Sequence, residues 1–248
     1  MPIVCLSWET ANLYGDAWIS HHRLRHRLFV ERQGWTVPSY RGLEYDQFDT
    51  PAARYVLWLD RHGAARGAAR LIPTTQPYML KTLWPDLVEG DPPQSGVIWE
   101  ASRFGCDRDL DPRQRRRVIA ELICGCQEFG IDNGVSKYIG VMPLQIFKHV
   151  FMAVGCTVTI AGRPRQIGRH DVAAAYIDVS TQMLAAVRAM TGVAGPVLNH
   201  AQTREPILRP KPRWWRISRE RIVSATKSLG GQNTAASDAA SSPSARAP

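Results

Sequence analysis

The sequence predicts one α/β domain, a three-layer α-β-α sandwich with a mixed sheet, and three observations support this prediction. The 248 residues are 44% hydrophobic, which is enough for one substantial core. Strand-like runs are joined by a short turn at 60–63 but are elsewhere separated by long segments, so antiparallel and parallel pairings are both expected. Apolar residues recur at helical spacing from residue 112, which indicates helices that cover the sheet.

Each predicted strand is a short run bounded by turn residues, and each predicted helix shows periodicity near 3.6 residues. The first helix places Arg25 and Phe29 one turn apart on one face, and Gly34 is expected to end it. In chain order, the predicted elements are a helix at 10–32, a loop at 36–52, hairpin strands at 54–59 and 64–72, a strand at 97–104, a helix from 112, a strand at 138–142, a helix at 143–154, strands at 156–160 and 173–179, and a last helix after residue 180.

The helix that starts at residue 112 has the clearest boundary signals. Asp111 is a suitable N-cap, Pro112 fits the first helical position, and Gln114 completes a capping box. Ser180 is expected to cap the last helix, and Gly192 follows its end.

The net charge of +9 is concentrated near the C-terminus. Eight basic and two acidic residues lie between Arg204 and Lys227. The sequence therefore predicts a folded domain at 1–203 and a basic arm at 204–229. Residues 230–248 contain no aliphatic side chain larger than alanine, which predicts a disordered tail.

The five cysteines form no CxxC pair, so neither a zinc site nor a disulfide framework is indicated. Reduced thiols and the absence of a basic, apolar leader favour a cytoplasmic protein. No apolar run approaches the roughly 20 residues that span a bilayer, so no membrane span is expected. The oligomeric state stays open.

Charged residues interrupt two of the predicted strands, where burial requires that they have partners. Arg70 lies in the hairpin, and Glu100 and Arg103 lie in the strand at 97–104. A structural ion pair explains any one of them, but the three together with an acidic loop indicate a site. That loop and the preceding helix end carry Glu31, Glu44, Asp46 and Asp49. Because Glu100 and Arg103 have odd spacing, we expect a β-bulge between them to bring both to one face.

Five motifs in order resemble the acyl-homoserine lactone synthases of the LuxI type over about residues 5–200. The motifs are RHRLF at 25–29, Trp35, DQFD at 46–49, ARLIPTTQPYML at 69–80 and WEASRF at 99–104. The sequence departs from the family pattern at Trp84, where Phe is usual, and near Met142 and Pro143, where many members have small hydroxyl residues. These departures concern the acyl chain and not the reaction. The resemblance implies a GNAT-like fold.

The resemblance implies an autoinducer synthase that acylates the amine of S-adenosylmethionine from an acyl thioester. Lactone closure then releases acyl-homoserine lactone and methylthioadenosine for quorum sensing. S-adenosylmethionine is a substrate in this reaction, and neither a cofactor nor a metal is expected. The implied acyl donor is an acyl carrier protein or an acyl-CoA.

The resemblance also implies roles for individual residues. Glu100 is the expected base, because the substrate ammonium must lose a proton, and Arg103 is the second expected catalytic residue. The expected S-adenosylmethionine site consists of Arg25, Phe29, Trp35, Asp46, Asp49 and Arg70. Its carboxylates suit the substrate's cationic groups, its arginines suit the substrate carboxylate, and its aromatic rings suit adenine. Trp84 and Met142 are the expected acyl-pocket residues.

Two other functions remain open. A GNAT-type acyltransferase acting on another amine is the nearest alternative, although the segment at 106–116 lacks the glycines with which such enzymes bind the phosphates of CoA. The basic segment at 211–221 contains Trp214 and Trp215 and would suit nucleic acid, but it has no recognition fold, so no specific nucleic-acid partner is expected. That arm is instead a candidate for steering an acidic carrier protein. His21 and His22 are expected on the solvated surface.

Overall fold

The computed structural model describes residues 3–200, so the predictions for 204–229 and 230–248 lie outside the described residues. The strands are β1 (Ile3–Leu6), β2 (Ser39–Tyr40), β3 (Leu43–Glu44), β4 (Arg54–Leu59), β5 (Ala65–Pro73), β6 (Ile98–Cys106), β7 (Lys137–Pro143), β8 (Val158–Ile160), β9 (Arg165–Ile167), β10 (His170–Asp178) and β11 (Leu198–His200). The α-helices are α1 (Gly15–Arg25), α2 (Met79–Leu83), α3 (Pro112–Asp132), α4 (Leu144–Ile146) and α5 (Thr181–Thr191).

Within residues 3–200, one mixed sheet runs in the order β11-β1-β4-β5-β6-β7-β10-β8, and β9 pairs with β10. The pairs β1–β11 and β6–β7 are parallel, and the other neighbours in this sheet are antiparallel. Strands β6 and β7 are paired over Ile98–Glu100, and both continue beyond that point. The sheet therefore opens between β6 and β7 after Glu100, which provides space for a site.

Helices cover both faces of the sheet, as β4 shows by its alternation. Val56 and Trp58 pack in the cluster formed with α3 and α5. Leu57 and Leu59 pack in the opposite cluster, formed with α1 and α2. A sheet buried on both faces is the middle layer of a three-layer sandwich, so the predicted fold class is confirmed.

The predicted helix boundaries are confirmed where capping signals are strong. The Asp111 carboxylate accepts hydrogen bonds from the backbone N of Arg113 at 2.8 Å and of Gln114 at 2.9 Å. Ser180 Oγ accepts from the backbone N of Met183 at 3.0 Å, and Gly192 follows α5 with φ +73°. These contacts satisfy N–H groups that the first helical turn leaves unpaired.

Other elements differ from the prediction. The first helix consists of a 3₁₀ turn (Ala11–Tyr14), α1 and a π-helical turn (His26–Glu31), and the helix predicted at 143–154 is similarly divided into α4, a π-helical turn (Phe147–Phe151) and a 3₁₀ turn (Met152–Val154). Strands β1, β2, β3, β9 and β11 and helix α2 were not predicted. They span only two to five residues, which is too short for periodicity to identify them.

No helix within the described residues is long and apolar enough to cross a membrane.

Candidate active site

Three arginines and three carboxylates form a buried ionic network beside the opening in the sheet. The arginines come from separate elements, α1, β5 and β6, whereas the carboxylates come from β3 and the loop that follows it. The members are Arg25, Arg70, Arg103, Glu44, Asp46 and Asp49, and each side chain is at most 7% exposed. Equal numbers of opposite charges make this burial possible, because an unpaired buried charge is far more costly.

Arg25 is the centre of the network on the α1 side. Its Nε donates to the Glu44 carboxylate in a short contact. Its Nη1 and Nη2 donate to the two carboxylate oxygens of Asp49, at 2.7 and 2.9 Å. This two-bond geometry fixes the loop of Asp49 against the helix.

Asp49 receives further donors from the sheet. Arg70 Nη1 donates to Asp49 Oδ1 at 3.1 Å, and the Tyr55 hydroxyl donates to the same oxygen at 2.9 Å. Burial by itself would raise the pKa of Asp49, but Arg25 and Arg70 hold it well below the usual range of an aspartic acid. Asp49 therefore remains ionised.

Asp46 is paired with arginines in the same way as Asp49. It accepts from Arg70 Nη1 in a short hydrogen bond, and its Oδ2 lies 2.6 Å from Arg103 Nη2. Asp46 and Asp49 were expected to face the cationic groups of a substrate, but both face arginines of this chain. The structural ion-pair interpretation therefore applies to Arg70 and Arg103.

Arg103 lies at the predicted β-bulge. Opposite β5, the register shifts between Ala68 and Arg70, and Arg103 has φ +53°, which is unusual for a residue with a side chain. Its guanidinium reaches Glu44 Oε1 at 3.0 Å and Met79 Sδ at 3.2 Å. Glu100 also contacts Met79, so the bulge brings both residues to one side, as predicted.

Glu100 is buried without a carboxylate–arginine ion pair among the described residues. Its Oε1 accepts from the backbone N of Leu80 at 2.7 Å, and its Oε2 accepts from the backbone N of Met79 at 3.2 Å, at the start of α2. Burial raises the pKa of Glu100, although the Leu80 hydrogen bond and the charge of Arg70 oppose this effect. A raised pKa makes Glu100 a stronger base than an exposed glutamate.

Phe29 and Trp35 stack on each other instead of lying on either side of an open slot. Their ring centroids are 5.3 Å apart with an interplanar angle of 17°. The guanidinium of Arg103 covers Phe29, 5.4 Å from the ring centroid. Phe29 is buried in this arrangement, whereas Trp35 is 41% exposed. Trp35 can therefore still offer a ring face to a ligand.

An apolar cavity of about 20 Å³ lies where β6 and β7 separate. The cavity is lined by Ala69, Ala101, Phe104, Ile123, Cys126, Gln127, Tyr138, Met142, Phe151 and Ile177. Met142 is among these lining residues. Trp84 is not among the lining residues. It ends α2 and packs against the core cluster on the opposite face of the sheet.

His21 and His22 are fully buried, so the expectation of a solvated surface was wrong. His22 Nδ1 is 2.8 Å from the carbonyl oxygen of Glu44, and its ring stacks on Tyr45 with centroids 3.8 Å apart. Burial and the charge of Arg25 lower the pKa of His22 to about 4, so its ring is neutral. The two imidazole rings lie with centroids 3.9 Å apart, and the rings of Trp18 and Tyr55 contact both of them.

Sequence reasoning missed Glu44 as a member of the site, although it named the acidic loop. Glu44 is fully buried and joins Arg25 to Arg103. Its position two residues before Asp46, in a short segment rich in acidic residues, could have identified it as a member of the site. The amides of Met79 and Leu80 gave no signal, because any residue type supplies a backbone N–H.

A mixed sheet with a separating parallel pair, an apolar cavity on one face of the separation and a buried carboxylate on the other face are features of a GNAT-like acyltransferase. The family model described as autoinducer synthase matches residues 12–187. The chain belongs to the autoinducer synthase family and is an enzyme of the acyltransferase class.

Individual relatives agree with this assignment. The chain is 39% identical over 170 residues to an acyl-homoserine-lactone synthase of Pseudomonas aeruginosa, covering 65% of this chain and 81% of that protein. It is 33% identical over 191 residues to an acyl-homoserine-lactone synthase of Ralstonia solanacearum, covering 74% of this chain and 92% of the relative. BjaI, a CoA-dependent acyl-homoserine lactone synthase whose structure was solved with MTA, is 30% identical in sequence to this chain. The two structures align with a TM-score of 0.74 over 82% of this chain and 94% of BjaI.

Proposed function

We propose that the chain acylates the amine of S-adenosylmethionine from an acyl thioester and closes the lactone, which makes it an autoinducer synthase for quorum sensing. The amine nitrogen forms a bond to the thioester carbonyl carbon, and the thiolate leaves. The γ carbon of the methionine part then bonds to its own carboxylate oxygen, and methylthioadenosine leaves. S-adenosylmethionine is consumed as a substrate. The observation that carries the proposal is the buried Glu100 at the point where β6 and β7 separate.

Glu100 is the base in this proposal. The amine of S-adenosylmethionine is protonated at neutral pH, so it must lose a proton before it attacks the thioester. Both Glu100 oxygens already accept backbone hydrogen bonds, but a carboxylate oxygen has a second acceptor direction for the ammonium proton or for a bridging water. Arg103 acts beside it by holding the bulge of β6 in place.

The S-adenosylmethionine site keeps its predicted members with a revised division of roles. Asp46 and Asp49 hold the arginines in place, in addition to their predicted role of binding the substrate's cationic groups. Arg70 Nη2 is buried without a hydrogen-bond partner among the described residues, so it is suited to the substrate carboxylate. Trp35, supported by Phe29 and with Arg25 anchoring the loop behind it, offers a face to adenine.

Lactone closure requires less chemistry from the chain. The carboxylate nucleophile, the electrophilic carbon and the sulfonium leaving group belong to one molecule. Holding the reacting groups in a near-attack conformation supplies much of the rate of such an intramolecular step.

The acyl chain is proposed to enter the cavity at the separation of β6 and β7. Met142 is the better supported of the two predicted acyl-pocket residues, because it lines that cavity. Trp84 remains a proposed acyl-pocket residue, because it ends α2 and the first backbone amides of this helix donate to the Glu100 carboxylate. One relative, 33% identical, is an isovaleryl-homoserine lactone synthase of Bradyrhizobium diazoefficiens, which supports a short or branched acyl group.

An acyl-CoA is the proposed donor, and an acyl carrier protein is the alternative. BjaI, which is 30% identical to this chain, has also been solved with SAM and isopentyl-CoA. The five cysteines are free thiols, which supports a cytoplasmic location together with the use of these metabolites.

The test combines purified protein with S-adenosylmethionine and a series of acyl-CoA thioesters, and mass spectrometry detects the lactone and methylthioadenosine. We expect both products in equal amounts. A transfer of acyl groups to other amines, without methylthioadenosine, would instead support the GNAT-type alternative. Glu100→Gln is the inactive control, and Glu89→Gln, at an exposed glutamate, is the matched active control.

A further inference from the structure

Four arginines without a carboxylate partner converge near the end of β6. They come from three segments that are distant in sequence: the turn after the π-helical segment, the β6–α3 loop with the start of α3, and the β9–β10 turn. The residues are Arg32, Arg108, Arg115 and Arg169. Within residues 3–200, none of them forms an ion pair.

Side-chain contacts hold the three segments together. Arg27 Nη2 lies 2.6 Å from Asp107 Oδ2, which joins the first segment to the end of β6. Arg169 Nη2 lies 3.5 Å from the amide oxygen of Gln33, which joins the β9–β10 turn to the first segment. Arg115 Nη1 donates to the carbonyl oxygen of Arg108 at 2.9 Å. The convergence of the four arginines therefore follows from the fold.

The acids of this region are largely engaged elsewhere, so the local charge stays positive. Asp107 pairs with Arg27 and Arg66, Glu31 pairs with His26, and the Asp111 carboxylate caps α3. Asp109 is exposed in the β6–α3 loop between the arginines. Partial burial and the like charges of Arg108, Arg169 and Arg115 lower the pKa of Arg32. An anion bound among these guanidiniums would relieve their repulsion.

The arginine group lies near the end of β6, the strand that contributes Ala101 and Phe104 to the proposed acyl cavity. Phe104 lines that cavity, and Cys106 follows two residues later at the end of β6. The Cys106 thiol lies in the electrostatic field of Arg108, Arg115 and Arg32. A donor with its acyl group at the cavity would thus extend its far end along β6 towards the arginines.

We infer that Arg32, Arg108, Arg115 and Arg169 bind the phosphates of coenzyme A when an acyl-CoA serves as donor. This inference rests on the proposed function, because it assigns the donor of that reaction. The phosphates of coenzyme A carry about four negative charges, up to two of them on the phosphate monoester, which matches four guanidiniums. A phosphopantetheine arm on a carrier protein carries one phosphodiester. Because the β6–α3 loop lacks a glycine-rich phosphate motif, arginine side chains take the place of backbone amides.

The test measures the affinity of the full chain for coenzyme A, dephospho-coenzyme A and pantetheine by titration calorimetry. The variant is the triple substitution Arg32→Gln, Arg108→Gln and Arg169→Gln, which keeps the half-buried Arg115. The matched control removes the same charge from exposed arginines of α1 and two turns, by Arg23→Gln, Arg41→Gln and Arg61→Gln. Wild-type protein is expected to bind coenzyme A more tightly than the other two compounds.

The expected result is a loss of about tenfold or more in coenzyme A affinity for the variant, with pantetheine affinity unchanged and the control within twofold of wild type. In turnover, the variant should raise KM for acyl-CoA and leave kcat unchanged. Equal losses in variant and control, or an equal loss for pantetheine, would overturn the inference. A defect confined to acyl carrier protein would also overturn it. Failure to release methylthioadenosine with any donor would refute the proposed function, while the binding contrast would still decide the arginine site.

Discussion

Replacing Asp49 with asparagine should destabilise the protein more than any other single change in the ionic network. Asp49 accepts from Arg25 at 2.7 and 2.9 Å, from Arg70 at 3.1 Å, from Tyr55 at 2.9 Å and from the backbone N of Asp46 at 2.8 Å. An asparagine removes the charge and points two N–H groups at donors. Breaking a buried pair in this way costs about 3–5 kcal/mol, against a total stability of about 5–15 kcal/mol.

The measurement is urea unfolding followed by circular dichroism, with Asp91→Asn at an exposed aspartate as the control. We expect a lower urea midpoint for Asp49→Asn and no shift beyond about 0.5 kcal/mol for the control. Methylthioadenosine release should also require more S-adenosylmethionine, because Arg25 and Arg70 lose their anchor. A loss of stability below about 1 kcal/mol would refute the view that Asp49 holds the network together.

The pH dependence gives a second test of the same reasoning. The folded pKa of Asp49 lies below the unfolded value, so its ionisation stabilises the fold at pH values above about 3.9. That contribution is lost progressively as the pH falls below this value towards the folded pKa. The wild-type protein should therefore lose stability in acid more steeply than Asp49→Asn. Parallel slopes for the two proteins would contradict the assigned charge of Asp49.

Three further predictions concern the base, the acyl cavity and a helix cap. Glu100→Gln should lower the rate of acyl transfer by about 10²-fold or more. In the wild-type protein, the apparent pKa on the acidic side of the pH profile of kcat/KM should lie above the usual glutamate value of about 4.3, because burial raises the pKa of Glu100. Met142→Ala should shift kcat/KM towards longer acyl chains by about tenfold or more, measured with a thioester series, because it enlarges the cavity. Asp111→Ala should lower the free energy of unfolding by about 1 kcal/mol, because it removes the cap of α3.

Each of these three has a result that would contradict it. Near-normal turnover of Glu100→Gln would exclude this residue as the base. An unchanged chain-length preference of Met142→Ala would place the acyl group outside the cavity, and Met152→Ala, at an exposed methionine, is its control. An unchanged free energy of unfolding for Asp111→Ala would show that this cap does not stabilise α3.

The sequence by itself determined the elements with strong local signals, and it named five of the six members of the buried ionic network. Helices α3 and α5 begin at the predicted caps, because Asp111 and Ser180 satisfy N–H groups that the adjacent turn leaves free. The bulge near Arg103 was predicted from spacing, since side chains alternate along a strand and only an irregularity brings positions three apart to one face.

The tertiary structure decided which charges face each other. From the sequence, Asp46 and Asp49 were equally suited to a substrate cation or to an arginine, and only the approach of α1, β5 and β6 pairs them with arginines. Burial of His21 and His22 likewise depends on the loop and aromatic rings that cover α1, which no helical periodicity encodes. Local signals act within a few residues, whereas the partner of a buried charge is set by segments that meet only after folding.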